Sequence, residues 1–160
     1  MTKLISIDTE TTGLDIFKNH RPFLFQVYDG NNCIITKKVN EIVDLLEDET
    51  IEKIGHNIKF DIIMLKSIGI NVKGQLYDTM IMKHLLNPYT SKSLDYCAEY
   101  YLKKKKLSDS VDNWFKQNRI KKDGINFALV PDEIILPYAK EDVILTWELF
   151  HYFKPLIEQQ

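Results

Sequence analysis

The sequence predicts an α/β domain in which a mixed β-sheet is flanked by helices. Runs rich in β-branched and aromatic residues come first, and apolar residues at helical spacing dominate from about residue 40 onward. Consecutive strands joined by turns favour an antiparallel meander for the first three strands. Strands that come first and then give way to helices with a few further strands are typical of a mixed sheet covered by helices.

The predicted meander occupies the first 36 residues. The first strand ends before Gly13, and residues 14–22 form a connection. Phe23–Tyr28 is the second predicted strand and Cys33–Thr36 the third. The sequence Asp-Gly-Asn-Asn at 29–32 is a strong turn signal between these two strands, so they are expected to pair with each other.

Helices and short strands fill the rest of the predicted chain. Capping residues and apolar periodicity mark their bounds. The expected elements are a helix capped by Asn40 that carries Ile42, Val43, Leu45 and Leu46, a strand at Lys53–Gly55, a helix at Phe60–Ile68 closed by Gly69, a helix from Asp78 to Leu86, a helix from Ser93 to Leu102, a helical segment around Val111, and a final helical element from Pro131 to about Gln159. Pro137 and Pro155 mark expected breaks in the last element.

Composition bounds the kind of protein. At 160 residues the chain fits one compact domain, residues 1–160. Its formal net charge of −2 means that any nucleic-acid surface must be local. No apolar run is long enough to cross a bilayer, so a membrane partner is not expected. Cys33 and Cys97 are far apart without a CxxC spacing, which favours a reduced, cytoplasmic compartment, and the four scattered histidines disfavour a Cys/His zinc site.

Two acidic residues, Asp8 and Glu10, come near the end of the first predicted strand. Alternate residues of a strand point to the same face, so the two carboxylates are expected to project together. Carboxylates held close repel each other unless a proton or a metal ion compensates. An edge strand with two surface acids would show the same pattern.

Two further acids occupy positions where a helix would present them. Asp61 lies at the start of a helix that follows a strand, where stabilisation of the helix N-terminus explains an acid equally well. Tyr138 and Asp142 are four residues apart and therefore share one helix face. A hydrogen bond in the core would explain that pair without catalysis.

Taken together, these residues form three motifs in a fixed order. The motifs are DTE at 8–10, NIKFD at 57–61 and YAKED at 138–142. With them the sequence resembles the DEDD superfamily of 3′–5′ exonucleases, in the subgroup that carries tyrosine in its third motif (DEDDy). Within that subgroup it is similar to the proofreading exonuclease domain of family A DNA polymerases, also at LYDTM 76–80 and GINF 124–127. The resemblance covers residues 5 to about 156 and implies a ribonuclease H-like fold.

The resemblance also implies a catalytic site. Members of the superfamily use two divalent ions, Mg²⁺ or Mn²⁺, about 4 Å apart. By resemblance, Asp8 is the bridging ligand, Glu10 and Asp142 complete the ion on the nucleophile side, and Asp61 holds the second ion. Tyr138 is expected to orient the attacking water. The predicted reaction is hydrolysis from the 3′ end of single-stranded or frayed DNA, which releases nucleoside 5′-monophosphates.

The family's pocket for the 3′-terminal nucleotides corresponds to Thr11, Leu14, Asn57 and Phe60. Leu14 is expected to wedge against the terminal bases, Phe60 to offer an apolar or stacking surface, and Thr11 and Asn57 to supply hydrogen bonds. Stacking on such side chains tolerates any base. Simple core packing is the alternative for Leu14 and Phe60.

One local basic segment stands out, which begins with the lysine run at Lys103–Lys106 and continues with Lys116, Arg119, Lys121 and Lys122. With Trp114 and Phe115 it could extend the path of the strand, whereas a solvated surface and buried aromatic anchors are the alternative interpretation. A separate DNA polymerase or other replication or repair proteins are the expected protein partners, in a bacterial or virus-infected bacterial cell. Two competing functions stay open: an exoribonuclease resembling ribonuclease D, and a non-catalytic nucleic-acid-binding module. The module is disfavoured because all five motif residues are present.

Overall fold

One mixed sheet forms the centre of the molecule in the computed structural model, which describes residues 3–105 and 108–160. Its strands are β1 (Lys3–Thr11), β2 (Pro22–Tyr28), β3 (Cys33–Thr36), β4 (Ile51–Gly55) and β5 (Leu76–Asp78). Their order across the sheet is β3-β2-β1-β4-β5. Strands β1 to β3 pair antiparallel, and β4 and β5 continue the sheet in parallel. The predicted fold class is confirmed.

Helices cover both faces of this sheet. They are α1 (Val43–Glu47), α2 (Ile58–Ser67), α3 (Thr79–Leu86), α4 (Leu94–Cys97) with a π-helical turn at Ala98–Leu102, α5 (Ser108–Asn118), α6 (Gly124–Phe127) and α7 (Asp132–Glu158). Short 3₁₀ turns lie at Ile16–Lys18 and Val39–Glu41. Within the described ranges, no helix combines the length and the apolar character that a membrane span needs.

Side-chain helix caps are present at two of the three positions at which the sequence predicts them. The Asp78 and Ser93 side chains accept hydrogen bonds from backbone amides in the first turns of α3 and α4. The predicted cap at Asn40 is wrong, because Asn40 lies inside the 3₁₀ turn and α1 begins after Ile42. Ile42 and Leu46 are both buried in the core, and no side-chain cap is formed, so packing contributes to the stability of α1 where a polar cap does not.

The expected breaks at Pro137 and Pro155 are also wrong, since α7 runs without interruption through both prolines. A proline inside a helix removes one backbone hydrogen bond and costs about 3 kcal/mol. Buried residues on both sides of Pro137, such as Ile135 and Ala139, keep that part of α7 packed on the sheet. Tertiary packing therefore outweighs the local signal.

Side-chain alternation along β1 divides the core into two layers. Ile5 and Ile7 are buried in a cluster that also contains Ile58 of α2. Ser6 points to the other face, where its Oγ donates a hydrogen bond to the backbone oxygen of Val143 in α7 at 2.7 Å. Residues 8 and 10 alternate in step with Ser6, so the acidic end of β1 faces α7.

Candidate active site

Three carboxylates converge where the end of β1 meets α7. Asp8, Glu10 and Asp142 each offer one oxygen, and these oxygens all lie within 4.8 Å of one another. The register between β1 and β2 shifts directly after Glu10, which bends the strand at this point. Like charges so close together favour a compensating cation, and carboxylate oxygens are the ligands that Mg²⁺ and Mn²⁺ prefer. The donor set therefore fits a divalent ion.

Asp61 approaches β1 from the opposite side, from the first turn of α2. It is 2% exposed, and its Oδ1 accepts hydrogen bonds from the backbone nitrogen and the hydroxyl of Thr9 at 3.1 and 2.7 Å. Burial raises the pKa of Asp61 to about 7, and the hydrogen bonds from Thr9 act in the opposite direction. Asp61 is not one of the three residues in the 4.8 Å cluster. Sequence reasoning missed Thr9, although its place between two acids puts its side chain on the α2 face.

Tyr138 lies one turn before Asp142 on α7 and is half-buried. Its ring packs against Phe127 of α6, with the ring centroids 6.3 Å apart. The first residue of α6, Gly124, touches the end of β1 so closely that a Cβ there would lie 2.4 Å from the Cα of Gly13. The segment GINF thus connects the acidic strand end to Tyr138, a role that the sequence alone did not reveal.

The aromatic side chains of α5 pack against α6. Phe115 is buried, and its ring lies 5.4 Å from that of Phe127. Trp114 is half-buried and contacts Phe115 edge-on at 5.1 Å. Both side chains belong to the apolar cluster between α5 and α7. This packing agrees with the alternative that they are anchors of the core.

Asp78 is a second residue whose role extends beyond the sequence prediction. Besides capping α3, its carboxylate accepts hydrogen bonds from the backbone nitrogens of Asn57 at 2.9 Å and Ile58 at 3.1 Å. One side chain therefore joins the N-termini of α2 and α3. It also holds Asn57, which has a left-handed backbone with φ of 63°. Asp78 thereby fixes the turn from which Asp61 is presented.

The four predicted substrate residues have different surroundings. Leu14 is 83% exposed, so core packing is wrong for this residue. With Phe17 and Ile63 it lines a cavity of about 620 Å³, which Thr11, Asn57 and Phe60 do not line. Asn57 is exposed and Phe60 half-buried. The Thr11 hydroxyl donates to the Gly13 oxygen at 2.8 Å.

The lysine run makes local contacts over the part that the structure describes. Lys103 donates to the Tyr100 oxygen, Lys104 pairs with Glu148 and Lys105 pairs with Asp109, at 2.7 to 2.9 Å. Lys106 lies outside the described residues. These contacts compensate part of the positive charge of the run, because two of its three described lysines face a carboxylate.

Comparison with known proteins identifies the family. A family model described as 3′–5′ exonuclease matches residues 1–158. The chain belongs to this family. The family predicted from the three motifs is thereby confirmed, and the tyrosine subgroup stays a prediction.

Curated relatives place similar sequences within DNA polymerases. DNA polymerase DpoZ of Salmonella phage PMBT28 is 32% identical over 174 residues, which cover 98% of this chain and 27% of the polymerase. DNA polymerase I of Borreliella burgdorferi is 31% identical, over 98% of this chain and 18% of the polymerase. The chain thus spans less than a third of the length of these relatives.

Solved structures of nucleases share the fold. NrnC of Brucella melitensis with bound Mg²⁺ superposes with a TM-score of 0.77 at 24% identity, over 99% of this chain and 75% of that protein. Escherichia coli RNase D, described as an exoribonuclease involved in structured RNA processing, gives a TM-score of 0.66 at 18% identity, over 96% of this chain and 40% of that protein. These likenesses confirm the ribonuclease H-like exonuclease fold.

Proposed function

We propose that this chain is a metal-dependent 3′–5′ exonuclease that hydrolyses DNA from the 3′ end of single strands or frayed ends. The products are nucleoside 5′-monophosphates. One observation carries the proposal: Asp8, Glu10 and Asp142 bring three carboxylate oxygens within 4.8 Å in a member of the 3′–5′ exonuclease family. The curated relatives at 31% and 32% identity are DNA polymerases, which supports DNA as the substrate.

The acidic residues divide the work of binding metal. Asp8, Glu10 and Asp142 would hold one ion, with Asp8 shared between two ions. Asp61, which is hydrogen-bonded to Thr9, would contribute to a second ion through water. Two divalent ions, when bound, supply a hydroxide nucleophile near neutral pH and stabilise the charge on the leaving 3′-oxygen.

Tyr138 orients the attacking water in this proposal. A tyrosine hydroxyl has an unperturbed pKa of about 10, which makes it a poor general base at neutral pH and leaves positioning as its role. Packing against Phe127 restricts the ring, so the hydroxyl would be presented in a fixed direction. Removing only the hydroxyl would therefore slow turnover and leave the metal ligands in place.

The 3′-terminal nucleotide would lie beside Leu14. Leu14 follows Glu10 by four residues and is 83% exposed, so it offers an apolar surface for any base. Phe60 would add a second such surface, and Asn57 would offer an amide for hydrogen bonding. The Thr11 hydroxyl already donates its proton to Gly13, so its oxygen would act as an acceptor toward the substrate.

A separate DNA polymerase is the proposed protein partner. Its support is that the curated relatives carry the similar segment within DNA polymerases of phages and bacteria. In that setting the exonuclease would act on mispaired or frayed 3′ ends inside a bacterial or infected bacterial cell. Other replication or repair proteins could supply such ends equally.

The test is an end-digestion assay on matched DNA and RNA strands labelled at the 3′ end, with Mg²⁺ or Mn²⁺ and with EDTA. We expect metal-dependent release of mononucleotides, faster from DNA, and a loss of more than about 10³-fold in Asp8→Ala. Asp44→Ala, an exposed acid on α1, is the matched control and should digest like the wild type. Faster release from RNA would favour the exoribonuclease. Binding of strands without any metal-dependent release would favour the non-catalytic module and contradict the proposal.

A further inference from the structure

Gln26 is a wholly buried polar residue on β2, with 0% of its surface exposed. It pairs with Asp8 across the antiparallel β1–β2 ladder. Cross-strand partners carry their side chains on the same face of the sheet, so Gln26 points to the face on which Asp8 and Glu10 lie. The sequence motifs did not include it.

The neighbours of Gln26 on that face show what covers it. Leu24, two residues earlier, belongs to an apolar cluster with Ala139 of α7. Tyr28, two residues later, contacts Trp147 of α7 with the ring centroids 5.6 Å apart. Gln26 therefore lies beneath the segment of α7 that contains Asp142. A buried amide at this point needs a reason, because an apolar side chain would suit the surrounding core better.

The hydrogen bonds of Gln26 point to Glu10. Its Nε2 donates to Glu10 Oε1 at 3.4 Å, which is long for a hydrogen bond, and its Oε1 is buried without a hydrogen-bond partner among the described residues. Leaving a buried acceptor without a partner costs about 1 to 3 kcal/mol. The Oε1 atom of Gln26 thus lowers the stability of the fold, while its Nε2 atom contacts Glu10, a predicted metal ligand.

We propose that Gln26 is a positioning residue, whose amide nitrogen holds the Glu10 carboxylate in the orientation that binds a divalent cation. This inference rests on the proposed function. A glutamate side chain has several rotatable bonds, and the charges of Asp8 and Asp142 push its carboxylate away from the cluster. A neutral N–H donor holds the carboxylate without bringing a positive charge that would compete with the metal ion. Hydrogen bonds of this kind are often long in the free enzyme and shorten when the site is loaded.

Asp61 shows the same principle on the opposite side of β1. Its Oδ1 is held by two neutral donors, the backbone nitrogen and the hydroxyl of Thr9. Neither Gln26 nor Thr9 adds charge near the acids. Both therefore fix the direction of a carboxyl group without adding a positive charge that would compete with a cation.

The test compares Gln26→Met with the wild type by titrating each with Mn²⁺ alone, without nucleic acid, and following free Mn²⁺ by electron paramagnetic resonance. Methionine keeps the size of the side chain and removes both polar atoms. We expect Mn²⁺ to bind about tenfold more weakly, while the melting temperature in EDTA stays at or above that of the wild type. In the digestion assay, the Mn²⁺ concentration for half-maximal rate should rise, and the rate should recover at high Mn²⁺.

Ser6→Ala is the matched control, because Ser6 lies on the same face of β1 and its buried hydroxyl bonds to Val143 of α7. This variant should lower the melting temperature and leave Mn²⁺ affinity unchanged. A second comparison uses the Glu10→Gln background, in which Gln26→Met should cause no further weakening of Mn²⁺ binding. Equal weakening in both backgrounds would overturn the inference, as would unchanged affinity in Gln26→Met.

The wild-type protein provides a test that needs no variant to fold. In crystals loaded with Mn²⁺, we expect Gln26 Nε2 within about 3 Å of a Glu10 oxygen that binds the ion, and a separation beyond about 4 Å would overturn the inference. Failure of the wild type to bind Mn²⁺ would overturn the proposed function and this inference together. Binding by the wild type with equal binding by Gln26→Met would overturn the inference alone.

Discussion

The Lys83 pocket, formed by Lys83 with Asn87 and Thr90, contains one charged group, whereas the carboxylate cluster of Asp8, Glu10 and Asp142 contains three acidic groups. Lys83 is wholly buried, and its Nζ donates to the backbone oxygen of Asn87 and to the backbone oxygen and hydroxyl of Thr90 at 2.6 to 2.7 Å. An ammonium has three hydrogens, so the chain itself supplies every acceptor that Lys83 needs. The pocket is complete as folded.

Lys53, in β4, repeats this arrangement. Its Nζ donates to the backbone oxygens of Asp48, Ile51 and Lys73 at 2.5 to 2.8 Å. The chain closes over it at Gly74, where φ is +89° and a Cβ would lie 2.4 Å from the Ile51 oxygen. Both lysines thus join loops through oxygens of the same chain, which is a structural role.

The carboxylate cluster has the opposite character, since it brings three groups of like charge within 4.8 Å. Repulsion among them costs free energy in the metal-free protein, and a bound cation offsets it. A charged group whose hydrogen-bond partners all belong to the chain stabilises the fold. Repulsion among like charges destabilises the metal-free fold, and its relief adds to the free energy of cation binding. The comparison predicts opposite effects of mutation at the two places.

The largest expected effect is on activity in Asp142→Asn. Removing one ligand charge should lower the rate of 3′ digestion by more than about 10³-fold, while relief of repulsion raises the melting temperature in EDTA by about 2–4 °C, equivalent to about 1 kcal/mol. Digestion assays and thermal unfolding measure the two effects. Glu133→Gln, an exposed acid in the first turn of the same helix, is the control that should leave the rate of digestion unchanged. A lower melting temperature in Asp142→Asn would contradict the comparison.

Next comes the effect of Lys83→Met on stability. The substitution keeps the length of the side chain but removes three hydrogen bonds from the ammonium to Asn87 and Thr90, which should cost about 3 kcal/mol, or about 6–12 °C in melting temperature. Thermal unfolding in EDTA measures this loss, and Mn²⁺ affinity should stay at the wild-type value. A stability equal to that of the wild type would mean that the pocket is not a structural site.

The smallest expected effect belongs to the lysine run, whose charge is partly compensated by local contacts. Changing Lys103 and Lys105 to glutamine should weaken single-strand binding and reduce the slope of log affinity against log salt by about 1 to 2. Fluorescence anisotropy over a range of salt concentrations measures the slope. The matched control changes Lys37 and Lys38, two exposed lysines beside β3, and should leave the slope unchanged. If the slope is also unchanged in the variant of Lys103 and Lys105, the run is solvated surface.

Local periodicity predicted the parts of the site that depend on one element at a time. The alternation of a strand puts Asp8 and Glu10 on one face, and helical spacing puts Tyr138 one turn from Asp142. The same rules gave the antiparallel first strands and the cap at Asp78. These predictions succeed because neighbouring residues determine them.

Contacts between distant segments were beyond the reach of local patterns. The hydrogen bonds from Thr9 to Asp61 and from Gln26 to Glu10 depend on how β1 meets α2 and β2. The predicted breaks at the prolines of α7 were wrong for the same reason. The free energy that a proline costs locally is smaller than the free energy gained when the whole helix packs on the sheet. Sequence resemblance supplied the order of the motifs, and only the fold shows what holds each acid in place.

The most direct test of the central claim, that the carboxylate cluster is a divalent metal site, is anomalous diffraction from crystals soaked in Mn²⁺. We expect an anomalous peak within bonding distance of oxygens of Asp8, Glu10 and Asp142, and we expect it to be absent from Asp8→Ala crystals soaked in the same way. A well-ordered cluster without any anomalous peak at saturating Mn²⁺ would show that it is not a metal site.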